Sequence, residues 1–246
     1  MNVYIGYDSR EDLAYQVSSF SIKSKSQSAT VMPLKLNELK SQGIYTRGED
    51  KLGSTEFTFS RFLVPILNNY EGWALFCDCD ILFLNSIEEL FTLSDDKYAV
   101  MCVQHDYKPT SKKKMDGKIQ SLYPRKNWSS LVLWNCAHPS NKKITTQLVN
   151  DPEITGKYLH RFSWLEDNEI GAINHEWNWL AGWYEEPKDG KPKAIHYTEG
   201  GPWFEEYRFC EYHKIWKKYL QEMMNSKSTK YYLKNILILI KLLNQL

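Results

Sequence analysis

The sequence predicts an α/β layered fold, and two stretches carry that expectation. Residues 2–7 carry alternating β-formers, Gly6 and Asp8 break the run, and residues 11–23 repeat Leu13, Val17, Phe20 and Ile22 at helical spacing. Further on, the apolar run Trp73 to Phe76 ends in Asp78, Cys79 and Asp80 and resumes at Ile81 to Leu84, the pattern of a buried strand with carboxylates at its end. Strands that alternate with helices stack the helices on a sheet. Composition agrees: 246 residues, 42% hydrophobic and 25% charged, exclude a disordered, collagen-like or integral membrane chain and suit one large domain or two small ones. A net charge of +1 makes no whole-protein field of the kind that marks a nucleic-acid binder, so nucleic acid is not an expected partner.

The remaining elements follow in order. Val31 to Leu36 reads as a second strand, and residues 37–54 are polar and contain glycine, hence a loop or short helix. From Thr58 to Asn69, Phe59, Phe62, Leu63, Ile66 and Leu67 recur at helical spacing around Arg61, with Pro65 as the discordant residue. Tyr98 to Val103, Leu131 to Asn135 and Ala194 to Tyr197 are further strands. Residues 108–126 are Lys-rich with two prolines and Gly117, the composition of a surface loop that could meet phosphate, though solvated charge alone also explains it. Residues 164–180 mix acidic residues with Trp164, Trp177 and Trp179. These tryptophans, with Trp183 and Trp203, are read as core, exposed faces for sugar rings being the alternative.

Five cysteines, an odd number in a chain too large to need staples, favour a reducing compartment, and Met1 leads directly into Val3, Tyr4 and Ile5 with no secretory pattern. A cytoplasmic protein is expected. Cys77 and Cys79, one residue apart, are read as packing thiols rather than metal ligands. From Lys214 to Leu246 there are seven lysines against one acidic residue, with a late apolar run much shorter than the ~20 residues a membrane span needs. This basic helical tail either lies on an anionic membrane surface as a peripheral contact or packs on the core or another subunit.

The chemistry concentrates at Phe76-Cys77-Asp78-Cys79-Asp80. Two aspartates at i and i+2 past a buried strand can face one cavity if the backbone leaves regular strand geometry, and as hard oxygen ligands they suit Mg²⁺ or Mn²⁺. An ion held by few protein ligands keeps positions for phosphate oxygens and neutralises charge on a diphosphate leaving group. His196, at the end of Ala194-Ile195, is the candidate third ligand, and an imidazole beside two carboxylates tilts the site toward Mn²⁺. Gly200 and Gly201 would let backbone amides approach phosphate.

Taken in order, these features resemble glycosyltransferases of the GT-A fold, family 8 in particular. The matching residues are Tyr4 to Asp8, Ser60-Arg61-Phe62, Asp78 and Asp80, Asn127, Ser129 and Ser130 through Asn135, the acidic Trp-containing segment, and a late His followed by Gly, Pro and Trp. The resemblance covers about residues 1–205. It implies a nucleotide-diphospho-sugar transferase domain with a Rossmann-like central mixed sheet over residues 1–210. The nucleotide-binding half would be about 1–105, the acceptor half about 106–210, and residues 211–246 the tail.

By that resemblance Tyr7 and Asp8 face the base or ribose, Arg61 sits near the D-x-D and the donor sugar, and Asp78, Asp80 and His196 hold Mn²⁺. Asn127 and Ser129 line the donor sugar, and Glu166, Asp167 or Asn168 lies beneath the anomeric carbon. The implied donor is a UDP-sugar, the acceptor a glycan or lipid-linked saccharide, and the outcome retention. Two departures stand out: Glu199 occupies the family's glycine offset with no Lys before Pro202, and Asp167-Asn168 replaces an Asp-Gln pair. Lys191, Lys193 or the Lys112 to Lys118 loop is the candidate replacement for the missing cation. A binding protein of the same fold without turnover is the alternative function.

Overall fold

The computed structural model describes residues 1–48, 54–106, 125, 127–184 and 191–226. The basic loop apart from Arg125, the turn at 185–190 and the tail beyond Ser226 therefore lie outside the described residues.

A six-stranded mixed sheet forms the centre, in the order β2-β1-β3-β6-β5-β7. Its strands are β1 (Asn2–Gly6), β2 (Thr30–Leu34), β3 (Trp73–Cys77), β5 (Val100–Val103), β6 (Leu131–Asn135) and β7 (Ile170–Ile173). β1 lies parallel to both β2 and β3, β6 enters antiparallel between β3 and β5, and β7 extends the edge parallel to β5. Every residue of β3 after Trp73 and every residue of β6 is buried, so these strands read as continuous apolar runs rather than alternations. A smaller sheet pairs β4 (Ile81–Phe83) antiparallel with β9 (Ala194–His196), which runs parallel to β8 (Trp179–Leu180).

Helix α1 (Asp12–Lys25) buries Ala14, Val17, Ser18, Ser19, Ser21 and Ile22. Its small serines let β4 approach closely, and the Ser21 hydroxyl accepts a hydrogen bond from the Phe83 amide at 3.0 Å while donating to the Ser18 carbonyl at 2.7 Å. The adjoining flank of α1, through Val17, Leu13 and Phe20, meets Trp216, Tyr219 and Leu220 of helix α7 (His213–Asn225), the last of seven α-helices among the described residues. The first part of the predicted basic tail is thus a helix packed on the domain. Helices α2 (Leu36–Ser41), α3 (Val64–Leu67), α4 (Ile87–Phe91), α5 (Thr146–Asn150) and α6 (Gly156–His160) are short.

The helix expected over 58–69 is a 3₁₀ turn at Ser60–Leu63 followed by α3. Pro65 explains the split: it lies in the first turn of α3, where its missing N–H has no intrahelical partner to lose. Strands β7 and β8, which the tryptophan-rich composition had hidden, flank the turn that carries Asn178. Trp164, Trp177 and Trp179 are at most 5% exposed and belong to the interior, as expected; Trp183 and Trp203 are half-buried.

Candidate metal centre and donor cavity

Two sheets meet at the D-x-D turn and fix it from both sides. Leaving β3, the Asp78 amide donates to the Ser130 carbonyl at 2.8 Å, continuing the β3–β6 pairing by one residue. Entering β4, the register places Ile81 opposite His196, and the Tyr197 amide donates to the Asp80 carbonyl at 3.1 Å. The turn therefore carries Asp78 off the large sheet and Asp80 off the small one, and strand pairing alone brings a histidine more than a hundred residues away against the second acid. One ligand atom from each of Asp78, Asp80 and His196 lies within 4.8 Å of the others.

Hydrogen-bond polarity around His196 assigns its proton. Ser130 Oγ donates to the Asn127 carbonyl at 2.6 Å and accepts from Asn178 Nδ2 at 2.9 Å. Asn178, fully buried, then has only its Oδ1 left for His196 Nδ1 at 2.9 Å, so Nδ1 is the donor. In a neutral ring the Nε2 lone pair faces Asp80 Oδ1 across 3.3 Å. Two acceptors at that distance repel unless a proton or a cation lies between them. The donor set, two carboxylates and an imidazole oriented from behind by an amide, fits a divalent ion of the Mn²⁺ type.

Arg61, 6% exposed, holds the first acid: Nη1 donates to Asp78 Oδ1 at 2.8 Å and to the Ser129 carbonyl at 3.0 Å. Its guanidinium lies 5.0 Å from the Phe57 ring and 5.1 Å from the Phe76 ring, two aromatic faces that favour a cation. Arg61, Asp78, Asp80, Asn127, Ser129 and His196 all line one open cavity. Asn127 reaches it from a left-handed backbone conformation, φ 65°. Ser129 Oγ lies 2.7 Å from His160 Nδ1.

The cavity also contains Ser130, and residues that sequence reasoning passed over: Glu11, Phe57, His160 and Thr198. Glu11 is 4% exposed, and burial, reinforced by the charges of Asp80 and Asp8, pushes its carboxyl up to about 9. Cys79 lines the cavity as a buried thiol, raised by burial well above the usual thiol range. All five cysteines are free.

Other expected site residues lie elsewhere. Both oxygens of the fully buried Asp8 are engaged: Oδ1 accepts from the Arg10 amide and Nε, Oδ2 from Arg10 Nη2 and the Glu56 amide. Tyr7 donates to Asp12 Oδ1 at 2.8 Å beneath Lys35, whose Nζ lies 5.2 Å from the ring. Gly200 and Gly201 pack against rings: a Cβ on Gly200, φ 131°, would sit 2.7 Å from Tyr207, and one on Gly201 would sit 2.0 Å from Trp203. Their lack of side chains serves that packing, and neither lines the cavity. Glu166, Asp167 and Asn168 form an exposed turn outside the lining, where Arg125 pairs with Asp167. Lys193 pairs with Glu89 and Glu176, away from the cavity, and Lys112 to Lys118 lie outside the described residues.

Comparison with known proteins agrees with this fold. Glycosyltransferase GlyE of Streptococcus pneumoniae TIGR4 superposes with a TM-score of 0.62 at 14% identity, covering 94% of this chain and 63% of its own; the chain thus spans less than two thirds of that neighbour. Galactosyltransferase LgtC, solved with donor and acceptor sugar analogs, superposes with a TM-score of 0.58 at 10% identity, covering 94% of this chain and 99% of its own. The fold is the GT-A fold of these glycosyltransferases. No family model matches the chain. At 51% identity over 224 residues, covering 89% of this chain and 86% of the relative, Protein CDI of Arabidopsis thaliana is a close match, and the chain belongs to the family of that protein.

Proposed function

We propose that the chain is a metal-dependent, retaining glycosyltransferase of the family-8 type, moving a sugar from a UDP-sugar to a glycan or lipid-linked saccharide. The observation that supports this most is the orientation of His196: a buried serine–asparagine relay turns its Nε2 toward Asp80 and beside Asp78, leaving a place for a cation. The GT-A fold around it supports a nucleotide-sugar donor and a saccharide acceptor. Asp78, Asp80 and His196 would hold Mn²⁺, which when bound neutralises charge on a diphosphate. Arg61 fixes Asp78 in place, and Asn127, Ser129 and His160 offer polar contacts to the sugar. No strong base is required, because the departing phosphate oxygen can take the acceptor proton.

A second reading, donor binding without turnover, is favoured by one observation: no lysine lines the cavity among the described residues. Release of UDP from a panel of UDP-sugars in Mn²⁺ separates the two. Transfer predicts release with at least one sugar, abolished in D80N with the fold intact. Binding of UDP-sugar with no release from any of them supports the second reading, and full activity of D80N in excess Mn²⁺ excludes the metal role.

A further inference from the structure

Glu11 sits at the N-cap position of α1, where a side chain ordinarily accepts from first-turn amides, yet its carboxyl makes no cap hydrogen bond. It is 4% exposed, lines the same cavity as the D-x-D acids, and accepts no hydrogen bond from any described residue. A buried carboxyl of this kind is satisfied by something that enters the cavity. Charge says what: the described lining sets Glu11, Asp78 and Asp80 against one arginine, Arg61, an acid-rich wall that suits a cation. Spacing says how: Asp78, Asp80 and His196 form the close-set ligand group and Glu11 is not part of it, which suits contact through a water on the ion rather than direct ligation.

We propose that Glu11 is the outer acid of the cation site, its carboxylate accepting hydrogen bonds from water bound to the ion that Asp78, Asp80 and His196 hold. This rests on the metal-dependent reading above and adds a positioning residue to it. Glu11 sets the affinity and hydration of the ion without touching it.

The test is Mn²⁺ binding to the metal-free full chain without nucleotide, read by electron paramagnetic resonance of free and bound Mn²⁺, for wild type, E11Q and D80N. Wild type binds, D80N loses binding, and E11Q, nearly isosteric, weakens it by about ten-fold or more, the usual effect of removing an outer-shell partner. E11Q leaves the thermal midpoint of the metal-free chain unchanged, because its amide replaces a carboxyl that burial already keeps protonated, whereas a merely structural role lowers it. An unchanged Mn²⁺ affinity in E11Q alongside a lost one in D80N overturns the inference and leaves the metal reading standing. Absence of Mn²⁺ binding in wild type overturns both.

Discussion

At the residue scale, the site depends on who donates to whom. Replacing Asn178 with alanine removes both the acceptor for His196 Nδ1 and the donor to Ser130. N178A is expected to weaken Mn²⁺ binding by about ten-fold while Asp78 and Asp80 remain in place, measurable by calorimetry. Asp8 makes a pH-dependent contribution. Burial alone would raise its carboxyl, but hydrogen bonds from Arg10 and the Glu56 amide outweigh that and hold it below the usual carboxylate range. Such a group stabilises the fold above the unfolded value, and the contribution is lost as pH falls through the lowered folded one. D8N should therefore be about 1–2 kcal/mol less stable than wild type at pH 7, allowing for the partly exposed Arg10, with the gap closing below pH 3.8 in denaturant melts. A gap that stays constant down to pH 2 would contradict the pairing. Asp78, Asp80 and His196 were legible because acids after an apolar run and a strand-ending histidine are unusual in themselves. Glu11 was not, because an acid in the first turn of a helix already has an ordinary explanation in the helix dipole.

At the element scale, β1 and Phe57, three residues before the Ser60–Leu63 turn, share a contact that shapes the cavity. A Cβ on Gly6 would fall 2.3 Å from the Phe57 ring, which stands against the Arg61 guanidinium. Gly6→Ala should cost about 1–3 kcal/mol by overpacking and, by displacing Phe57, loosen the Arg61–Asp78 pair. Thermal melting with and without Mn²⁺ measures both effects, and a variant that melts and binds like wild type would rule the contact out as a determinant. Strands with continuous apolar runs, β3 and β6, could be read nearly to the residue. The short strands β7 and β8 could not, because each is completed by pairing with β5 or β9 rather than by its own pattern. At Gly200 and Gly201 the room a side chain would need is taken by Tyr207 and Trp203, which only the folded arrangement brings against them.

At the scale of the whole molecule, two apolar clusters hold the two sheets, the larger around β1, β3 and β6, the smaller between α1, α7, β4 and β9. The D-x-D turn spans the seam between them, so each sheet fixes one acid. No helix among the described residues is long and apolar enough to cross a membrane. For the tail we retain the proposal of peripheral contact at an anionic cytoplasmic membrane face. Since α7 is packed on α1, deletion of residues 228–246 should leave the fold intact and abolish co-sedimentation with anionic vesicles; undiminished co-sedimentation rejects the anchor.

The central claim is that Asp78, Asp80 and His196 hold a cation that in turn holds a nucleotide diphosphate. Calorimetric titration of UDP into the full chain, once in saturating Mn²⁺ and once in EDTA, tests it most directly. The account predicts binding in Mn²⁺ that falls by at least about ten-fold in EDTA; equal affinity in the two conditions would contradict it.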